Sequence, residues 1–312
     1  MRDPKIIRRS AMSERVERPA TQASSDDTGT PSVSPWESAR IRVRPSAPAR
    51  EYPIPPERVE VQRKELRIYG RHAVLGVART RRNAIRKVYY TRAAQSALGE
   101  LLSWCAAERI GYREVTAEDL NKLAASEHHE GVVADIVRAP EMRLETLLNA
   151  QAKQAESTLL LLDGVANPHN LGAILRIAAH FNAAGILLMP GAPSALSGAA
   201  YRVAEGGAEA TPLVQINAVA SSLAQLSAAG FQLVAAHTRE APSLWQQSLP
   251  SKVVFVFGAE GAGLSAGLLK LCNARVSIPG SGAVESLNVA QSVAILMAEG
   301  ERQRTLRGSI SR

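Results

Sequence analysis

Residues 158–190, TLLLLDGVANPHNLGAILRIAAHFNAAGILLMP, hold an apolar run, a polar turn, an amphipathic helical pattern and a second apolar run. Consecutive leucines without polar alternation belong to a strand buried on both faces, and a helix between two such strands makes a βαβ unit. The succession continues with a helix over Ala218–Ala229, then FQLVAAH, KVVFVFG, LSAGLLKLCN, ARVSIPG and a terminal helix from Glu285. It predicts an α/β domain over residues 158–306, built on a parallel sheet with helices on both faces, and a tail at 307–312.

Upstream, the Gln/Ala/Lys-rich stretch NAQAKQAES marks a linker at 148–157. Before it, residues 66–147 form a second, smaller α/β unit. There LRIYGRHAVLGVART reads as strand, glycine turn and helix, IRKVYYT as a strand, Ser96–Arg109 as a helix, and HHEGVVADIV as a last strand after a polar helix. Residues 1–65 are rich in Arg, Pro, Ser, Glu and Asp with no useful period, so they are expected to be a disordered basic arm.

The 312 residues, 46% apolar and 21% charged, are enough for two domains with real cores. No apolar run reaches a membrane span and the first thirty residues hold no signal-like apolar segment, so a soluble cytoplasmic protein is expected, with no membrane partner. Cys105 and Cys272 sit in apolar stretches without CxxC spacing and are expected to be reduced core residues. No His lies at metal-ligand spacing, so no metal site is expected, and His128 and His129 suit local structural hydrogen bonds. The formal net charge of +8 suits a polyanionic partner. It is concentrated at Arg79, Arg81, Arg82, Arg86, Lys87 and Arg92, a segment without a carboxylate and with Tyr89 and Tyr90 beside it. Guanidiniums next to aromatic rings suit RNA phosphates and bases, although a solvated charged loop accounts for the same run.

Ligands of open parallel sheets bind beyond the carboxyl ends of the strands. After TLLLLD, the next segment can place Asn170 at a helix N-cap and sets Arg176 in an apolar helical run, where it needs a partner such as Asp163. After VVFVF comes GAEGAGLS, whose glycines let a ligand approach the backbone, although a plain tight turn reads equally well. After ARVSI, a glycine-rich loop leads into a helix whose first turn would hold Glu285, Ser286 and Asn288.

In this order and at strand ends, NLGAILRIAAHF, GAEGAGLS and IPGSGAVESLNVAQSVAI resemble motifs 1, 2 and 3 of the SpoU family of RNA 2′-O-ribose methyltransferases, TrmH-like members of the SPOUT superfamily. The preceding unit, with IYGRHAVLGV and HHEGVVA, is similar to the small substrate-binding domain that precedes many SpoU domains, an L30e-like fold. The resemblance implies a deep C-terminal trefoil knot, S-adenosylmethionine as cofactor, ribosomal or transfer RNA as substrate and a homodimer. It assigns the catalytic set to Asn170, Arg176, Glu260, Ser286 and Asn288, and cofactor contacts to Gly258, Ile278 and Leu287. RNA contacts would fall to Arg79, Arg81, Arg82, Arg86 and Lys87. One departure stands out, because Glu205-Gly206-Gly207-Ala208 replaces the Ser-Ala-Gly-Ala expected after motif 1 and adds a carboxylate near the presumed RNA surface. The rival from another class is a non-catalytic RNA-binding assembly protein that keeps the knotted domain. A nucleotide-dependent oxidoreductase lacks its GxGxxG loop here.

Overall fold

Residues 65–192, 195–237 and 241–310 are described by the computed structural model. The arm expected at 1–65 lies outside them apart from Glu65, as do Ser311 and Arg312 of the expected tail.

The small unit runs β1 (Glu65–Tyr69), α1 (Arg71–Thr80), β2 (Ile85–Tyr90), α2 (Gly99–Ala107), β3 (Gly111–Glu114), α3 (Ala117–Ala124) and β4 (Val132–Val137). Its sheet has the order β1-β4-β2-β3, with β4 antiparallel to both neighbours and β3 parallel to β2. Helix α1 forms because Ala73, Val74, Val77 and Ala78 share one face at helical spacing, and that face is buried in the core with Ile68, Ile85 and Val88. The helix expected over Ser96–Arg109 is shorter than its pattern, since Ser96–Leu98 is a 3-10 turn.

Before β4 the chain turns through His129, which is 7% exposed. Its Nδ1 accepts from Gly131 N at 3.0 Å and its Nε2 meets Asn121 Oδ1 at 2.9 Å, so the ring is held as the neutral Nε2–H tautomer. Burial lowers its pKa.

Helix α4 (Leu144–Gln151) occupies the first part of the expected linker, because Leu144, Leu147 and Leu148 make a helical stripe that packs on the second sheet. That sheet contains β5 (Ser157–Asp163), β6 (Gly185–Leu188), β7 (Leu213–Gln215), β8 (Gln232–Ala236), β9 (Lys252–Gly258) and β10 (Ala274–Val276). Its order is β10-β8-β9-β5-β6-β7, with every pair parallel. The leucine run behaves as a doubly buried strand should. Leu160 and Leu162 enter a core with Ile174, Phe255 and Leu296, while Leu159 and Leu161 enter another with Leu147, Leu226 and Val256. The helices covering these faces include α5 (Pro168–His180), α8 (Val219–Ala228), α9 (Ala266–Leu271) and α10 (Val289–Ile310).

Between β6 and β7 the chain forms two short helices, α6 (Gly198–Ala204) and α7 (Gly207–Ala210), which the sequence pattern did not disclose. Helix α6 crosses α5 so closely that a Cβ on Gly172 would lie 2.6 Å from the Ala200 carbonyl oxygen. The same segment joins the small unit: Tyr201 is buried in that unit's core, and Arg81 donates to Glu209 from Nε at 2.6 Å and from Nη2 at 2.9 Å. Burial would lower the Arg81 pKa, but the hydrogen bond and charge of Glu209 more than reverse this and hold it above its ordinary value. Burial, reinforced by Glu209, pushes the Tyr201 hydroxyl up to about 12.

Two outcomes follow for stability. Glu209→Ala should strand a largely buried guanidinium and cost about 3 kcal/mol in chemical denaturation. Because the folded pKa of His129 lies below its unfolded value, its contribution is present above about pH 6.5 and lost as pH falls through the folded pKa. A His129→Gln variant should therefore show a flatter acid-side stability curve than the wild type.

Candidate active site

Strands β5 and β9 pair in register from Ser157↔Lys252 to Asp163↔Gly258, so their carboxyl ends release neighbouring loops. The β9 loop folds back at once, with Gly263 N donating to Ala259 O at 2.9 Å. Any side chain at Gly258 would put its Cβ 2.1 Å from the Gly263 carbonyl carbon, so this position admits only glycine. Asp163 Oδ2 accepts from Ser265 N at 2.9 Å and ties the far end of the loop to β5. Glu260 is left exposed at the tip.

The β5 loop enters α5 through Asn167, whose side chain accepts from His169 N at 2.9 Å, with Pro168 at the first helical position. The N-cap is therefore Asn167, where Asn170 had been expected, because the fixed φ of proline starts the helix three residues earlier. Asn170 lies in the first turn with its side chain available for other partners.

Its partner arrives from the third segment. The terminal helix begins at Val289, later than the expected Glu285, because Asn288 is its cap: Asn288 Oδ1 accepts from Ala290 N at 2.9 Å. The amide Nδ2 of the same residue donates to Asn170 Oδ1 at 3.1 Å and to Glu260 Oε1 at 2.5 Å. One amide thus joins the ends of all three motif segments. Ser286 and Leu287 precede it in an exposed loop, Leu287 being 41% exposed, while Ile278 is half-buried against the core.

Arg176 stands apart from this cluster. Six residues along a helix amount to about 9 Å of rise and a different face, and Arg176 lies six residues beyond Asn170 on α5. Its Nη2 meets Glu205 Oε2 at 3.0 Å, with the arginine side chain 59% exposed. The partner anticipated for it, Asp163, is engaged by Ser265 instead. Glu205, the departure noticed after motif 1, lies at the end of α6, and only the tertiary crossing of α5 and α6 brings the two together. No spacing rule connects positions that far apart.

The cationic cluster of the small unit divides. Arg81 is committed to Glu209, Tyr201 and, at 2.5 Å, the Val137 carbonyl, so it is a structural clamp rather than a free phosphate ligand. Arg82 donates to Glu100 at 2.7 Å and lies 5.7 Å from the Trp104 ring. Arg79 and Arg86 are exposed, and Lys87 Nζ is 4.8 Å from the centroid of Tyr89, which also has Arg67 over it at 5.9 Å. Cys105 is buried as expected, but Cys272 is only partly so, because α9 ends at Leu271; burial raises both thiols.

A parallel α/β sheet whose three adjoining loops meet in one Asn-Glu-Asn cluster, preceded by a cationic α/β unit, is the architecture of a ligand-binding enzyme domain with an attached recognition domain. Residues 157–298 match the SpoU rRNA methylase family, and residues 67–142 match the family of RNA 2′-O ribose methyltransferase substrate-binding domains. A 23S rRNA (guanosine-2′-O-)-methyltransferase, RlmB of Burkholderia sp, is 34% identical over 242 residues, covering 77% of this chain and 97% of that protein. An uncharacterised tRNA/rRNA methyltransferase, YfiF of Escherichia coli O157:H7, is 31% identical over 295 residues, covering 90% of this chain and 85% of its own. The chain belongs to the SpoU family of RNA 2′-O-ribose methyltransferases. Its fold is shared with AdoMet-bound structures, among them AviRb of Streptomyces viridochromogenes at a TM-score of 0.65 and 21% identity, covering 79% of this chain and 92% of that one. An rRNA methyltransferase from Sinorhizobium meliloti gives 0.64 at 23% identity, covering 79% and 90%.

The Asn288 amide can be tested by a change that keeps the cap. Aspartate caps a helix as well as asparagine does but cannot donate, so Asn288→Asp would set a carboxylate against Glu260. Limited proteolysis is expected to cut within 279–287 faster in Asn288→Asp than in wild type, with α10 retained by circular dichroism.

Proposed function

We propose that the chain transfers a methyl group from S-adenosylmethionine to the 2′-hydroxyl of a ribose in structured ribosomal or transfer RNA. The observation that carries this reading is the Asn288 bridge between Asn170 and Glu260, which gathers side chains of all three motif segments at the carboxyl ends of the strands.

The residues present fit the cofactor. The loop at Gly258 is too tight for any side chain, so a ligand there meets backbone, and Leu287 offers apolar surface next to the polar Asn288. Gly258, Ile278 and Leu287 would hold the nucleoside and methionine parts; the bound group supplies an electrophilic methyl on a sulfonium. Asn170 and Glu260 then fix the loop through Asn288, and Ser286, exposed two residues before Asn288, would offer its hydroxyl to ligand or ribose.

Arg176 acts on the ribose. A guanidinium stays protonated at neutral pH, so its role is to orient the 2′-oxygen and stabilise the negative charge that develops there as the proton leaves to an RNA phosphate. Arg79, Arg86 and Lys87 contribute phosphate contacts, and Tyr89 offers a face for stacking. The deep trefoil knot, the L30e-like small domain, a homodimer and a cytoplasmic location belong to the same reading. Among the described residues no helix is long and apolar enough to cross a membrane.

The decisive experiment supplies methyl-labelled S-adenosylmethionine to total RNA and locates the product by ribose-level mass spectrometry. Wild type should yield 2′-O-methylated nucleoside, and Arg176→Ala should bind the cofactor equally well while losing turnover by at least about a hundredfold. Cofactor binding without product on any RNA would favour the non-catalytic assembly protein.

A further inference from the structure

Glu205 lies outside the three motif segments, yet it is the residue that holds Arg176. Its two oxygens bridge two arginines: Oε2 is 3.0 Å from Arg176 Nη2 and Oε1 is 3.7 Å from Arg202 Nη1. Arg202 continues the path, with Nη2 2.6 Å from Glu130 Oε1 and Nε donating to the His128 carbonyl at 3.0 Å. Glu130 Oε2 accepts from Arg71 N at 2.8 Å, at the positive N-terminal end of α1. An unbroken series of charged contacts therefore runs from the small domain to Arg176.

Backbone geometry supports a built feature over a chance surface pairing. Both carboxylates sit on residues in the left-handed region, Glu205 at φ 46° and Glu130 at φ 50°, which side chains normally avoid. The stem of Arg202 passes directly over Gly70, where a Cβ would lie 2.3 Å from Arg202 Cδ. Only glycine at position 70 lets Arg202 take this route.

We propose that Glu205 is a positioning residue for Arg176, and that the Arg202–Glu130 pair makes its setting depend on the small RNA-binding domain. This rests on the methyltransferase reading above. An exposed arginine otherwise samples many rotamers. The contact with Glu205 through Nη2 narrows the range of the guanidinium and leaves its other N–H groups for the ribose. Disturbing the small domain at Glu130 then reaches the reacting centre without touching it.

The test uses full-length protein, steady-state kinetics on the methylated RNA, and 15N NMR of arginine Nε–H groups, whose Arg176 signal is assigned by loss in Arg176→Ala. Glu205→Gln is expected to lower kcat about tenfold while leaving KM for RNA and cofactor within about twofold. Glu130→Gln should lower kcat in the wild-type background and have no further effect in Glu205→Gln, the non-additivity of residues acting in series. Glu205→Asp, which keeps the charge, should recover part of the loss. In the spectra a dispersed Arg176 Nε–H signal should collapse towards the bulk arginine position in both Gln variants, with unchanged melting temperatures. An unchanged kcat and an unchanged Arg176 signal, a loss confined to KM, or fully additive effects would each overturn the proposal. If wild type shows no turnover at all, the methyltransferase reading fails separately and the NMR result alone decides whether Glu205 positions Arg176.

Discussion

The parallel pairing of β5 with β9 is the constraint from which the site follows. Its register sets Asp163 beside Gly258, so the loops that leave the two strands start side by side whatever their own sequences are. Both strands are buried on both faces, in separate cores built partly from opposite residues of the same leucine run. Slipping the pairing by one residue would exchange these two sets of side chains and move every loop residue with them. The Asn170–Asn288–Glu260 cluster is accordingly anchored at its base by paired strands and exposed at its tip.

Helix ends complete the arrangement. Asn167 and Pro168 start α5 early enough to free Asn170, and Asn288 is both the cap of α10 and the donor that joins the other two segments. A capping residue that also binds across a site links the start of a helix to the closure of a loop. A ligand resting on that loop would therefore bias the first turn of α10, whose Val289, Ala290 and Val293 are buried in the main core.

Much of this was legible beforehand, for identifiable reasons. The doubly buried strands announced themselves through runs such as LLLL and VVFVF, and the loops at their ends through glycine and asparagine. Short elements were not legible: α6, α7 and the three-residue β7 lack the length for a period, and they are fixed by tertiary contacts, α6 and α7 by packing on α5 and on the small domain and β7 by pairing with β6. The start of α10 was misplaced because Glu285 and Ser286 are good first-turn residues, and local propensity could not foresee that Asn288 would supply the cap. The cationic cluster also read too uniformly. Charge type is visible in a sequence, but the carboxylates that claim Arg81, Arg82 and Arg176 are Glu209, Glu100 and Glu205, brought in by the fold or by another element.

The amide bridge has a consequence for how the protein comes into being. Asn170 and Asn288 are separated by 118 residues, which a ribosome needs roughly 6–24 s to add. During that interval β5, α5 and their loop can leave the exit tunnel, but the partner that closes the cluster does not yet exist. A nascent chain can thus display its small cationic domain to RNA well before it holds a complete site, and a product truncated ahead of α10 would keep the first property without ever gaining the second.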